Sequence, residues 1–379
     1  MTRLRTNLKP SSGPGPRFVV VVLAILGPTG LVGRAADGAE PLVARARLVG
    51  DLFHDNPFRI TGQDAATSLV LPDGDALWTF GDTIEGPFNS IRNLDLRDKL
   101  SNTAAIVPPQ NAKHGLPRYR FLTAPDDRRS RQILPFRSDE DPGQSRIWPM
   151  HGLCTGEHVY LFYHRISLKP GVDVFDDFTL DGMGLARAKL GEFAFERLTA
   201  PDGSLEFWKG DQPGFGVFVV EHEGYAYLWG SQMTGMFLAR TRPESVEDLA
   251  RYEYLVDAPT DARPDVRPRW SKTFQPSAPL FDSVPNEMSA SYNAHLGRFV
   301  AVHTRMRENE IVVRTAPQLT GPWSAGEVAF RPERSSDADL FYAAKEHPEL
   351  AIDGGRVIYV SFVNSATYVP QLVEVEFRP

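Results

Sequence analysis

Five segments of the chain share one form: a short apolar strand, a tight turn rich in Gly, Asp or Asn, and an aromatic-rich return strand. Turn residues flanked by strand-forming runs read as β-hairpins. The first hairpin runs from Thr67 to Phe80 and turns at Asp73-Gly74; the second, Gly152 to Tyr163, turns at Gly156. The third, Gly216 to Trp229, turns near Glu223-Gly224, and the fourth, Ser289 to Val302, around Asn293 to Gly297. The fifth, Leu350 to Phe362, turns at Asp353-Gly354-Gly355. Three of them are followed by similar strands, GLARAK from Gly184, FLARTRPES from Phe237 and IVVRTAPQLTGPW from Ile311, with Arg187, Arg240 and Arg314 in equivalent places. Repetition every 50 to 75 residues, roughly, points to radial architecture. The expected fold is all-β, a five-bladed β-propeller over residues 42–379, with a twisted sandwich as the alternative. Leu42 to Leu48 and Gln371 to Phe377 would meet in one blade and close the ring, which protects the sheet edges.

Composition agrees with many short strands, since 31 Gly and 31 Pro are spread along the chain instead of gathered in one tract. No helix of useful length is evident beyond a turn at Pro243 to Leu249, and no P-loop, dinucleotide or Cys-His metal pattern occurs. Residues 1–35 carry Arg3, Arg5, Lys9, Arg17 and Arg34, no acid, and an apolar run from Phe18 to Leu26. They read as a secretory signal cleaved after Ala35, or close by at Ala36 or Ala39, with an uncleaved anchor as the alternative. The run is too short for stable membrane insertion. The expected location is secreted or periplasmic. Its removal leaves 36 basic against 48 acidic residues, so nucleic acid is not expected as a partner. Cys154 is the single cysteine, so no internal disulfide is available, and in GLCTG it reads as a small buried hydrophobe.

Residues equally far from a hairpin turn lie side by side, which places candidate chemistry. Asp64 lies about nine residues before the Asp73-Gly74 turn and Asp82 about eight after it, so both end at one level of the first blade. Neighbouring strands are about 5 Å apart, so a carboxylate separation of about 5 to 10 Å is expected, the range used in glycoside hydrolysis. The same counting brings Glu287, Glu346 and His347 to that level, returns His303 there, and puts His151 slightly lower, with Lys345 close by. All should converge on one mouth of the central channel. Each has an ordinary structural reading: Asp82 capping a strand end, Asp64 as a turn aspartate, the others as packed polar groups. Clustered carboxylates resist joint ionisation, so one can hold a proton while its neighbour stays charged, as glycosidic cleavage requires. Tryptophans, among them Trp78, Trp148, Trp208, Trp229, Trp270 and Trp323, offer flat faces for sugar rings, although most belong to the core. The acidic stretch from Gly171 to Asp181 reads as a surface loop or a loop over a cleft. No cofactor is implied; the acids and histidines could hold a hard cation such as Ca²⁺, but no ligand spacing supports it.

The segments LWTFGDT (Leu77 to Thr83), SNTAAIV (Ser101 to Val107), MSASYNAHLGRFVAVHT (Met288 to Thr304) and KEHPEL (Lys345 to Leu350) resemble the bacterial family of domain of unknown function 4185. That family resembles five-bladed glycosidase propellers, and some members are endo-acting D-arabinanases of glycoside hydrolase family 183. By this resemblance Asp82 of the Gly-Asp-Thr motif and Asp64 match the two catalytic carboxylates. Asp82 is assigned as general acid and Asp64 as base or nucleophile, an assignment that can be reversed. His151, Glu287, His303, Lys345, Glu346 and His347 are assigned to substrate binding. The insert at Gly171 to Asp181 and the Pro-rich segment Ala258 to Pro268 bear on the cleft shape. The expected function is therefore a secreted glycoside hydrolase acting on a polysaccharide or oligosaccharide. A non-catalytic carbohydrate-binding or protein-interaction propeller is the alternative. A sialidase is disfavoured, because its Ser-x-Asp-x-Gly-x-x-Trp repeat is not found.

Overall fold

The computed structural model describes residues 40–86, 99–124, 129–169, 178–232, 235–281, 287–336 and 339–379. Residues 1–35, expected to form a secretory signal, lie outside the described residues, as do residues 171–177 of the acidic stretch. Among the described residues there are strands, turns and short 3-10 segments, and no helix is long and apolar enough to cross a membrane.

The chain enters through β1 (Val43–Asp51) and β2 (Ile60–Gln63). The first blade consists of β3 (Thr67–Val70), β4 (Ala76–Phe80), β6 (Thr103–Val107) and β7 (Arg120–Phe121), while β5 (Thr83–Glu85) leaves it to pair with β2. The second contains β8 (Ser145–Thr155), β9 (His158–Ser167) and β10 (Thr179–Lys189), edged by β11 (Glu196–Arg197) and β12 (Trp208–Lys209). The third runs β13 (Gly214–His222), β14 (Tyr225–Gln232), β15 (Gly235–Thr241), β16 (Glu253–Asp257) and β17 (Arg269–Ser271). The fourth is β18 (Met288–Asn293), β19 (Arg298–Arg305), β20 (Glu310–Ala316) and β21 (Glu327–Phe330). In the fifth, β22 (Phe341–Glu346), β23 (Val357–Asn364) and β24 (Pro370–Phe377) are completed by β1. The fold is a five-bladed β-propeller. Its ring closes as expected, with Arg45 opposite Glu376 and Leu48 opposite Val373.

Four of the five expected hairpins form where the turn residues place them. In the third blade His222 pairs with Tyr225 across Glu223-Gly224, both at positive φ (49° and 75°), the geometry that follows the twist of a two-residue hairpin. The three Arg-bearing segments are third strands β10, β15 and β20. The fifth hairpin differs: its inner strand is Phe341–Glu346, and Leu350 falls in a 3-10 turn. Asp353-Gly354-Gly355 does turn the chain, but Pro348, which cannot donate to a ladder, ends β22 early and makes the connection long.

Apolar faces of successive blades interlock. Leu77 and Ile106 meet Leu161 and Tyr163 between the first two blades, and Phe162 and Met183 meet Phe215 and Trp229 between the next two. Val300 and Val313 meet Phe341 and Val360 between the fourth and fifth, and Trp78 and Phe80 meet Tyr359 and Leu372 where the ring closes. Gly216 is one close approach: at φ 119°, a Cβ there would stand 2.2 Å from Cγ of Phe162. Gly216→Ala is expected to cost about 2–4 kcal/mol. A fall in urea midpoint at unchanged slope would read this out, and an unchanged midpoint would mean that the second and third blades accommodate the methyl group.

Candidate active site

Asp64 stands between β2 and β3, where the chain passes from the β2–β5 ribbon into the first strand of the first blade. Ala65 and Ala66 make that turn in the left-handed region, at φ 63° and 54°, and Ala66 N–H donates to the Asp64 carbonyl at 2.9 Å. Ala343 (φ 60°), next to Tyr342, and Tyr368 (φ 55°) are left-handed as well. Positive φ costs side-chain-bearing residues energy and gathers at functional sites. The Asp64 carboxyl group is half-buried. Its Oδ2 accepts a hydrogen bond from the Tyr342 hydroxyl at 3.0 Å, and Tyr368 donates a second. Its Oδ1 lies against Gly81, where a Cβ would come within 2.3 Å, so the glycine of Gly-Asp-Thr makes room for the acid next to it in space.

Asp82 is held differently. It is 2 % exposed, and its Oδ1 lies 3.0 Å from Nε of Arg146, which is wholly buried. The Trp148 indole donates to the same carboxylate, and Lys99 adds a second positive charge nearby. Burial dominates and leaves the Asp82 carboxyl raised, with Arg146, Lys99 and Trp148 offsetting part of that rise. Asp64 is pushed up to about 8, first by burial and then by the charges of Asp82 and Glu287; the two tyrosines only partly offset this. Glu287 joins the same mouth as a third carboxylate, accepting a charge-assisted hydrogen bond from Lys345 Nζ. Tryptophan faces the site as well: half-buried Trp148 meets the edge of Phe178 with ring centroids 5.6 Å apart.

The family model described as domain of unknown function (DUF4185) matches residues 52–373. The chain belongs to that family. No curated protein sequence matches it. Among solved structures, this DUF4185 chain is similar to a candidate hydrolase from Bacteroides ovatus at 16% identity, with TM-score 0.57 and 84% of this chain and 87% of that one covered. It is similar to a glycoside hydrolase family 43 enzyme from Xanthomonas citri, solved with xylotriose, at 11% identity and TM-score 0.49, covering 89% and 90%. A family 117 glycoside hydrolase from Zobellia galactanivorans gives 11% identity and TM-score 0.49, covering 88% and 91%.

In this DUF4185 propeller the expected cluster divides in two. Asp64, Asp82, Glu287 and Lys345 lie close together, Asp82 and Glu287 each raising the Asp64 carboxyl and Lys345 pairing with Glu287. Glu346 and His347 sit further down, toward the turn end of β22, because the inner strand of the fifth hairpin begins at Phe341 and puts Tyr342 at the level of Asp64. Glu346 accepts from Ser291 Oγ at 2.8 Å, and burial pushes its carboxyl up to about 7. His347 is stacked on Trp78 at 4.1 Å, with its ring nitrogens 2.7 and 2.8 Å from the hydroxyls of Ser68 and Ser361. His151 is also deep: its Nδ1 accepts from Val219 N–H at 3.2 Å, and burial pushes it down to about 3. His303 lies in the wall of its own blade. Its Nε2 accepts from Arg314 Nε at 3.0 Å, so Nδ1 carries the proton and donates to the Thr304 carbonyl at 3.1 Å.

Cys154 is half-buried, its thiol pushed up to about 12 by burial, which suits an inert packing group. Among the described residues no group of three or more His, Cys, Asp or Glu side chains is arranged to hold a metal ion. A cavity of about 70 Å³ beside Phe237, Pro279 and Trp323 touches none of the acids. Sequence counting missed Arg146, Tyr342 and Tyr368. The apolar run after Arg146 signals that β8 starts well before Gly152, but nothing local to Tyr342 or Tyr368 points at Asp64.

Proposed function

We propose that the chain is a glycoside hydrolase in which Asp64 is the proton donor and Asp82 the base or nucleophile. The observation that carries this reading is the opposite charge of the groups beside two neighbouring acids, both of which burial raises. Asp64 faces two other carboxylates and tyrosine hydroxyls, and keeps its proton near neutral pH. Asp82 faces Arg146 and Lys99, which favour its charged form. This reverses the order of roles preferred from sequence. As the glycosidic C–O bond breaks, Asp64 gives its proton to the leaving oxygen. Asp82 either bonds to the anomeric carbon or takes a proton from the water that attacks it. Glu287, held by the buried ammonium of Lys345, would accept hydrogen bonds from sugar hydroxyls, and Trp148 would offer an indole face to a ring. Furanose-containing polysaccharide, D-arabinan first, is the substrate that membership of DUF4185 favours.

The test is a panel of polysaccharides including D-arabinan, incubated with the wild type and with Asp82→Asn. Oligosaccharide release by the wild type alone is expected, and the anomer of the first product read by NMR separates nucleophile from base. Glycan bound but never cut, with the same affinity in both proteins, would replace this reading with a non-catalytic carbohydrate-binding propeller.

A further inference from the structure

Two tyrosines from the closing blade converge on one carboxyl group of the first blade. Tyr342 belongs to the inner strand β22, and Tyr368 to the loop between β23 and β24. Their placement is not casual. Between Tyr342, opposite Val363, and Lys345, opposite Ser361, β22 carries an extra residue, a bulge in which Ala343 takes φ 60°. Bulges of this kind re-aim a side chain at the cost of local strain. Tyr368, 1 % exposed, is also left-handed; its N–H donates to the Asn364 carbonyl at 2.8 Å, and its own carbonyl accepts from Gln63 N–H at 2.7 Å, one residue before Asp64. Gly62 completes the fit, since a Cβ there would come within 3.0 Å of the Tyr368 ring. Both the backbone before Asp64 and its carboxyl group are thus gripped from the closing blade.

We infer that Tyr342 and Tyr368 are positioning residues that fix the Asp64 carboxyl group over Gly81 and toward the mouth, a role whose kinetic consequence rests on Asp64 being the proton donor proposed above. With Tyr368 buried and Tyr342 half-buried beside Asp64, both phenols are pushed well above their ordinary range, so each hydroxyl keeps its proton and acts as donor. A donor stabilises the charged form of the acceptor, so its removal raises the acceptor's pKa. The other groups facing Asp64 are Asp82 and Glu287, which act in the opposite sense to the tyrosines.

The experiment uses Tyr342→Phe, Tyr368→Phe and the double variant, each keeping its ring. Asp64 is titrated by carboxyl-carbon NMR, its signal assigned by its loss in Asp64→Asn. The midpoint is expected to move upward in each single variant and further in the double. On a cleaved glycan, kcat should fall about 10- to 100-fold with KM little changed. Should Tyr368→Phe fail to fold, Tyr342→Phe alone decides the matter. An Asp64 midpoint unmoved in a folded variant overturns the positioning role, even if activity falls. If no glycan is cleaved by any form, the hydrolase reading fails, while the titration still decides whether the tyrosines hold Asp64.

Discussion

Asp64→Asn is expected to lower turnover by about 10²- to 10⁴-fold and, in the same protein, to raise stability. The second effect follows from the direction of the Asp64 shift. Its carboxyl titrates from the ordinary 3.8 in the unfolded chain but at about 8 in the folded one. Below about pH 4 it is protonated in both states and costs nothing. Between there and about pH 8 the folded state must hold a proton that the unfolded state releases, so stability falls as pH rises. Above about 8 the loss is constant. At pH 7 the native acid is a liability of about 2–4 kcal/mol that asparagine removes while still accepting from Tyr342. Urea midpoints of both proteins from pH 4 to 8 test this. The curves should converge at the acid end and separate toward pH 8; parallel curves would show that Asp64 is not held in the way described.

Arg146→Met should have the largest effect in the opposite direction. Arg146 is wholly buried and lies 3.0 Å from an Asp82 that is 2 % exposed, so the variant leaves a buried carboxylate without its nearest counter-charge. Breaking such a pair costs about 3–5 kcal/mol, because the surviving charge is stranded away from water. Proton uptake relieves it. The penalty should be present at pH 7 and shrink as pH falls toward the ordinary aspartate range, where the unfolded chain also binds the proton. Asp82→Asn in the Arg146→Met background should recover most of the loss at pH 7. Denaturation of the two single variants and the double at pH 4 and 7 closes the cycle. A loss that is independent of pH and not recovered by Asp82→Asn would assign the effect to packing of the Arg146 stem. The same logic means that Asp82→Asn alone strands Arg146, so its activity has meaning only for the folded fraction.

The blade count was legible because hairpins announce themselves locally. Glu223-Gly224, Gly156 and Asp73-Gly74 each combine a turn residue with flanking strands, and no distant contact is needed to read them. The pairing of Asp64 with Asp82 followed from the same local arithmetic. That arithmetic failed where backbone register shifts. Bulges between Pro149 and Gly152, Phe215 and Phe218, and Tyr342 and Lys345 each change the register along an inner strand. In the fifth blade the early end of β22 before Pro348 moved Glu346 and His347 below the mouth. Arg146 and Tyr368 were illegible for a different reason: their partners lie 64 and 304 positions away in sequence, and only ring closure brings Tyr368 to Asp64.

The seam between first and last blades therefore does more than hide two sheet edges. Asp64 and Asp82 lie on one side of it, and Tyr342, Lys345 and Tyr368 on the other, while β1 ties the outer edge of the last blade back to the start of the chain. Each sheet has its own backbone ladder and can keep it if the seam loosens. A partly opened ring would thus retain almost all of its strand signal by circular dichroism yet lose the geometry around Asp64. The proposed hydrolysis, in such a molecule, would work as a latch sensor, reporting whether the circle is shut and not how much sheet remains.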